Sequence, residues 1–300
     1  MTHHSIPITV SDLARGVLPT DLRLGAVRLA VTDLARSVPF YTRVLGLEEI
    51  AREHADGRAV VHLGLRGEDI VVLQEERAAL RSGRHAGLFH IAYNFPSRLE
   101  LARALRRISE SRISIEGASD HQTHDAIYLP DPDGNGVELA WDHPREQWPS
   151  ALVRPLPLDL EQLLALTAGE PTAPRAEDGL RVGHVHLHVG DVARALAFYV
   201  GVLGFELQDD MGTAAFVSAG DYHHHLGVNV WQGPNAPPPP ADAVGLREWR
   251  IYLPTADDVA KVHKRVVAAG APAELDADGA VATADPWGIP LRVAVDPRAR

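Results

Sequence analysis

The sequence predicts an α+β protein built from four copies of one β-α-β-β-β module. Three observations predict it. Residues 23–76 recur at 181–232: Gly25/Gly183, Phe40-Tyr41/Phe198-Tyr199 and Leu45-Gly46/Leu203-Gly204 all match at an offset of 158. A second pair, Gly87-Leu88 with Phe95-Pro96 and Gly245-Leu246 with Leu253-Pro254, keeps the same offset of 158. Each member of the second pair then runs through an amphipathic stretch to an Asp-Pro turn, at Asp131-Pro132 and Asp285-Pro286. A fixed offset across landmark residues marks internal duplication.

In chain order, RLGAVRLAV is the first strand of module one. Asp33 is placed to cap the helix LARSVPFYTRVLG, and Gly46 ends it. Phe40, Tyr41, Val44 and Leu45 share one face at helical spacing. Three short strands follow. Module two carries its helix around LELARALRRI. Its end reads strand, tight turn, strand: an apolar run at 126–129, turn formers at 131–136, and a strand again at 137–140. That reversal puts Tyr128 and Glu138 on neighbouring strands, with His121 and His124 just upstream.

Residues 144–178 form a proline-rich linker with one short helix at DLEQLLAL. Module three opens RVGHVHLHV, where His184, His186 and His188 alternate and so face one side of a strand. One face with three imidazoles is not a plain hydrophobic core, and His186 and His188 are expected to line a cavity or an interface. Residues 222–228 read YHHHLGV; strand alternation would turn His223 and His225 away from the face of His224. The run APPPP at 236–240 is an extended surface loop. Module four carries the helix ADDVAKVHKRVV, and its Trp249 is a core residue. His85 and His143 are expected at the surface. Residues 1–22 are an N-terminal arm.

Composition narrows the function. Of 300 residues, 45% are hydrophobic, enough for a packed core. Lys and Arg number 29 against 40 Asp and Glu, so the net charge of −11 argues against a nucleic-acid partner. There is no cysteine, which removes disulfides, thiolate catalysis, zinc-thiolate sites and iron–sulfur clusters. The N-terminal stretch lacks a secretory pattern and no window is apolar enough to span a membrane, so a cytoplasmic protein with no membrane partner is expected. The 16 histidines are the informative excess, because imidazole is both a metal ligand and a near-neutral acid–base.

Paired β-α-β-β-β modules, the FYxxxLG helices and the Asp-Pro-x-Gly-Asn-x-x-Glu turn resemble the vicinal oxygen chelate superfamily of glyoxalases, bleomycin-resistance proteins and type I extradiol dioxygenases. The resemblance covers about residues 24–142 and 180–296. Four modules together with YHHHLGVNVW and the SDH, Tyr and GNGVEL elements look most like catechol 2,3-dioxygenase-type ring-cleaving enzymes. The resemblance implies two half-open barrels, each from two paired modules. It divides the chain into a first domain at 23–143, the linker 144–178 and a second domain at 179–297. In the family one module supplies a metal ligand from its first strand, and its partner supplies one from its first and one from its last strand. The ring-cleaving members use His, His and Glu.

The matching first-strand positions here are Ala26, His90, His184 and Glu248, and the last-strand positions are Glu138 and Arg292. Modules three and four would offer His184, Glu248 and Arg292; modules one and two would offer Ala26, His90 and Glu138. Only modules two and three together offer the family's set: His90, His184 and Glu138. We therefore expect module two to pack on module three, and module one on module four as a metal-free barrel. The resemblance also assigns His224 as acid–base, Tyr128 as hydrogen-bond partner of a substrate oxygen, and His121 as the imidazole that orients the diol. The His121–Tyr128 spacing is shorter than the family's, which leaves His124 as an alternative. Asn229 and Trp231 are expected to wall the pocket.

The expected function is an Fe(II)-dependent extradiol dioxygenase of catechol- or hydroquinone-like aromatics, with O₂ as co-substrate; Mn(II) suits the same ligands. The alternatives are a glyoxalase-type metal-dependent lyase or isomerase, which needs a further carboxylate such as Glu248, and a metal-free small-molecule-binding protein. Barrel edges would serve a homodimer.

Overall fold

The computed structural model describes residues 17–81, 83–150 and 154–299. Most of the expected N-terminal arm, residues 1–16, lies outside them. Module one comprises β1 (Arg23–Leu24), β2 (Val27–Val31), α1 (Leu34–Leu45), β3 (Glu48–Ala55), β4 (Arg58–Leu65) and β5 (Glu68–Glu75). Module two comprises β6 (Gly87–Asn94), α2 (Arg98–Glu110), β7 (Gly117–Asp120), β8 (His124–Pro130) and β9 (Gly136–Asp142). The linker adds β10 (Leu156–Pro157) and α3 (Leu160–Ala165), the short helix expected there. Module three comprises β11 (Arg181–His188), α4 (Val192–Phe198), β12 (Glu206–Asp210), β13 (Ala214–Ser218) and β14 (Leu226–Asn229). Module four comprises β15 (Gly245–Leu253), α5 (Ala256–Ala268), β16 (Glu274–Leu275), β17 (Val281–Ala284) and β18 (Pro290–Val295).

Local chemistry starts and stops the helices. Asp33, Ser97, Asp191 and Thr255 each accept a hydrogen bond from a first-turn backbone N–H of α1, α2, α4 and α5. Gly46 ends α1 at φ 72°, a left-handed conformation that glycine adopts without strain. The buried face of α1 includes Phe40, Tyr41, Val44 and Leu45, as the spacing predicts.

The two nine-stranded sheets mix the two halves of the chain. One runs β16-β17-β18-β15-β2-β5-β4-β3, with β1 also on β15; the other runs β10-β7-β8-β9-β6-β11-β14-β13-β12. Module one is thus joined to module four through β2 and β15, and module two to module three through β6 and β11. The division at 23–143 and 179–297 follows the sequence repeat, whereas each sheet takes one module from each half. Neither sheet closes on itself. Helices and sheets share one core, in which Tyr41, Tyr93, Tyr199 and Trp249 are fully buried. Among the described residues, no helix is long and apolar enough to cross a membrane.

The repeat also explains what holds neighbouring modules together. Tyr41 of α1 donates to Asp131 Oδ2 in the Asp-Pro turn of module two, at 3.0 Å. Tyr199 donates to Asp285 Oδ2 in module four, at 3.1 Å. Each aspartate organises its turn by accepting two backbone N–H groups on Oδ1. Arg107 of α2 is buried and donates to Val44 O at the end of α1; Arg265 of α5 does the same to Val202 O and Leu203 O. A guanidinium there satisfies carbonyls that a helix end leaves open. Burial pushes Arg107 down to about 10, so it remains charged at neutral pH.

Two outcomes are expected. Arg107→Ala leaves buried carbonyls without a donor and should cost about 1–3 kcal/mol. It should lower the urea midpoint more than Arg265→Ala, because Arg265 is less buried; an unchanged midpoint in Arg107→Ala would contradict the capping role. Burial pushes the Asp285 carboxyl up from 3.8 to about 6, its hydrogen bonds opposing. Its folded form therefore holds a proton that the unfolded form has lost, so its contribution to stability should fall as pH rises from about 4 to about 6. A carboxyl ¹³C titration should place Asp285 near 6; a midpoint near 4 would contradict this.

Candidate metal centre

Strand register brings three ligand-type side chains together. His184 on β11 pairs with Ala92 on β6, and Ala92 pairs on its other side with Glu138 on β9. The three residues form a row across three strands, so their side chains share a face. The methyl of Ala92 leaves space between the outer two, and His90 sits two residues along β6 on the same face. As a result His90 Nε2 lies 3.0 Å and His184 Nε2 lies 3.2 Å from Glu138 Oε2, and the two Nε2 atoms are 3.3 Å apart.

This triangle fits a metal. Three donors each about 2.1 Å from one ion, at octahedral or tetrahedral angles, stand about 3.0–3.4 Å from one another. All three residues are buried, and Glu138 is fully so. A buried carboxylate is costly unless paired. Burial opposes its charge, yet His184 and His90 hold the carboxyl well below its usual range. Among the described residues none donates a hydrogen bond to the buried Glu138 Oε1, although His124 Nε2 is 3.3 Å away. An orphaned carboxylate oxygen among imidazole nitrogens is a donor set for a cation, and these three residues could hold a metal ion.

The equivalent place in the other sheet is filled by charge. Glu248 accepts from Arg250 at 2.8 Å and from Arg292 at 3.1 Å. Glu248 is therefore on another sheet from His184 and occupied by guanidinium groups.

Imidazoles and a phenol surround the cluster. Tyr128 pairs with Glu138 across β8 and β9. His121 and His124 flank a two-residue turn closed by His121 N–H to His124 O, with Gln122 at φ 64°. The turn sets their rings face to face at 4.6 Å. His121 Nε2 shares a 2.8 Å hydrogen bond with the Tyr128 hydroxyl, while His124 is the one beside Glu138. The sequence posed these two histidines as alternatives; both reach the site. Burial and His124 push His121 down to about 4, and burial with Glu138 pushes the Tyr128 hydroxyl far up, so both are uncharged at neutral pH.

The ring of His224 lies 4.1 Å from that of His184. Burial, followed by His184, pushes its imidazole well down. Strand alternation misplaced its neighbour. Residues 219–225 are turn and bend rather than strand, so His223 also turns inward and stacks on His124 at 4.7 Å. Asp142, four residues after Glu138 on β9, accepts from His223 at 3.1 Å. Its position on the Glu138 face was readable from the period of two, but an aspartate at a strand end reads as solvated. His143 is not a surface residue: it is half-buried, 3.0 Å from Asp125. His85 is half-buried as well.

His186 and His188 pack on Phe89 at 5.1 and 4.8 Å, and Asn229 bonds both rings. Gly227 makes room for them, since a Cβ there would lie 2.9 Å from the His186 ring. A cavity of about 850 Å³ reaches His90, Tyr128, Phe89 and His188 and is bounded on the far side by Leu246, Ile289 and the prolines Pro238, Pro239 and Pro240. Trp231 is exposed at the edge of Phe89, and Trp249 is core, as expected.

The chain matches the model of the Glyoxalase/Bleomycin resistance protein/Dioxygenase superfamily over residues 23–139 and 181–293. It is 38% identical over 263 residues to a catechol-2,3-dioxygenase of Bacillus subtilis (strain 168), covering 83% of this chain and 89% of that protein. Among solved structures it is similar to a protein of Bacillus subtilis subsp. subtilis str. 168, with a TM-score of 0.68 at 15% identity over 94% of this chain and 87% of the other. It is also similar to glyoxalase I from Zea mays, with a TM-score of 0.59 at 16% identity over 93% and 94% of the two chains. The structural likenesses speak for the fold: paired modules of the vicinal oxygen chelate type. With the repeat, the sheet order and the matched residues in agreement, the chain belongs to the glyoxalase/bleomycin resistance protein/dioxygenase superfamily.

Proposed function

We propose that this protein is an extradiol dioxygenase that cleaves catechol- or hydroquinone-like aromatic rings with O₂, using Fe(II) held by His90, His184 and Glu138. The observation that carries the reading is the buried triangle of two imidazoles and one carboxylate, flanked by His121, His124 and Tyr128. The 38% identical relative named catechol-2,3-dioxygenase supports the reaction class. Two neutral ligands and one anion leave coordination positions for a chelating diol and O₂, and Fe(II) there would supply the electron transfer and the acidification of the diol. Mn(II) suits the same donors. The absence of cysteine fits action in a reducing cytoplasm.

The protein groups around the triangle divide the proton work. His224 is neutral at pH 7 and next to His184, so it can take a proton from a diol hydroxyl and return it when the O–O bond breaks. Tyr128 keeps its proton and can donate a hydrogen bond to a substrate oxygen. His121, bonded to Tyr128, orients that hydroxyl. The cavity that reaches His90 and Tyr128 is ample for a substituted single ring.

Protein loaded anaerobically with Fe(II) should consume O₂ on addition of catechol or a hydroquinone and release a yellow ring-fission product. Bound metal without O₂ uptake would favour a glyoxalase-type reaction, and no bound metal would favour a binding protein; either overturns the reading. His90→Ala, His184→Ala and Glu138→Ala should each lose iron by elemental analysis. His224→Phe should keep its iron while kcat falls about 10²–10⁴-fold; a wild-type kcat would remove His224 from the proton transfer.

A further inference from the structure

From His224 a chain of hydrogen bonds runs to a half-buried carboxylate. His224 Nδ1 lies 2.8 Å from His223 Nδ1, and His223 Nε2 lies 3.1 Å from Asp142 Oδ1. The Asp142 carboxylate is further held by Tyr222 at 2.9 Å, by Arg181 at 3.4 Å and by Asn94. His223 is clamped between two planes, the His124 ring at 4.7 Å and the Trp148 ring at 5.0 Å.

With His223 neutral, the donor and acceptor directions along this chain have one solution. Burial opposes the charge on Asp142, yet His223 and Arg181 hold its carboxyl at about 2, so it only accepts. His223 must therefore donate from Nε2. A neutral imidazole carries a single proton, so with that proton on Nε2 the Nδ1 of His223 is left as an acceptor. His224 must then carry its proton on Nδ1 to donate to His223, and its Nε2 is left with a free lone pair.

We propose that Asp142 and His223 are positioning residues that hold the His224 ring in one orientation and one tautomer, with Nε2 as the base. The inference deepens the acid–base assignment of His224 made above and rests on it for its catalytic meaning. Without the chain, neutral imidazole would populate both tautomers, and the Nε2-protonated one cannot take a proton at that atom. The outer partner of a metal-bound histidine acts in the same physical way, and its loss typically lowers activity about 10–100-fold. Here the device serves a histidine that is not a ligand.

The test reads the ring directly. Full-length protein with ¹⁵N-labelled histidines and Zn(II) as a diamagnetic occupant is studied by long-range ¹H–¹⁵N correlation, with His224→Ala identifying the signals. The wild-type ring should be protonated at Nδ1 and bare at Nε2. In His223→Phe, and independently in Asp142→Asn, a substantial Nε2-protonated population should appear. A wild-type ring protonated at Nε2, or an unchanged pattern in both variants, would overturn the proposal. In iron-loaded protein Asp142→Asn should lower kcat about tenfold or more while KM for the diol changes little; an unchanged kcat would overturn it. The NMR readout needs no turnover. A fixed His224 tautomer in a protein without O₂ uptake would therefore remove the dioxygenase reading and leave the positioning intact.

Discussion

Everything at the site depends on the antiparallel seam between β6 and β11. It is the contact through which modules two and three share one sheet, and it sets His184 opposite Ala92 with Glu138 on the far side. A one-residue slip would send His90 and His184 to opposite faces, because side chains alternate along a strand. The register is secured on both flanks. Parallel pairing with β9 and β14 encloses the two seam strands, and the seam residues Ile91, Tyr93, Val185 and Leu187 are fully buried on the other face.

The second constraint is the burial of Glu138. A carboxylate with no exposure is stable only with opposite charge or several donors around it. The imidazoles meet this demand in part, and one oxygen is left without a hydrogen bond from any described residue. In the other sheet the equivalent place holds a half-buried Glu248 that accepts from two arginines. The duplicated scaffold thus carries two solutions at equivalent places: a rigid ion-pair cluster in one sheet, and a donor set open to a cation in the other. Around it, burial disfavours the charge on His121, His223 and His224.

The architecture was legible because duplication repeats its landmarks. The Tyr of each FYxxxLG helix and the Asp of each Asp-Pro turn recur because each pair makes the same inter-module bond. The pairing of module two with three was legible from chemistry: the family's donor set could be completed in no other way, and the sheets pair as that set requires. What stayed hidden lies where the chain leaves regular structure. His223 was assigned the wrong face because alternation holds only in strands, and residues 219–225 are not one. The choice between His121 and His124 turned on a two-residue turn whose partners reach different atoms, Tyr128 and Glu138. Asp142 and His143 become half-buried only through contacts with distant segments, which no local pattern reports.

Anomalous diffraction at the iron edge, from crystals of protein loaded anaerobically with Fe(II), tests the central claim most directly. The account predicts one strong peak between modules two and three, about 2.0–2.3 Å from His90 Nε2, His184 Nε2 and a Glu138 oxygen. The absence of a peak there, or iron bound at another place, would contradict it.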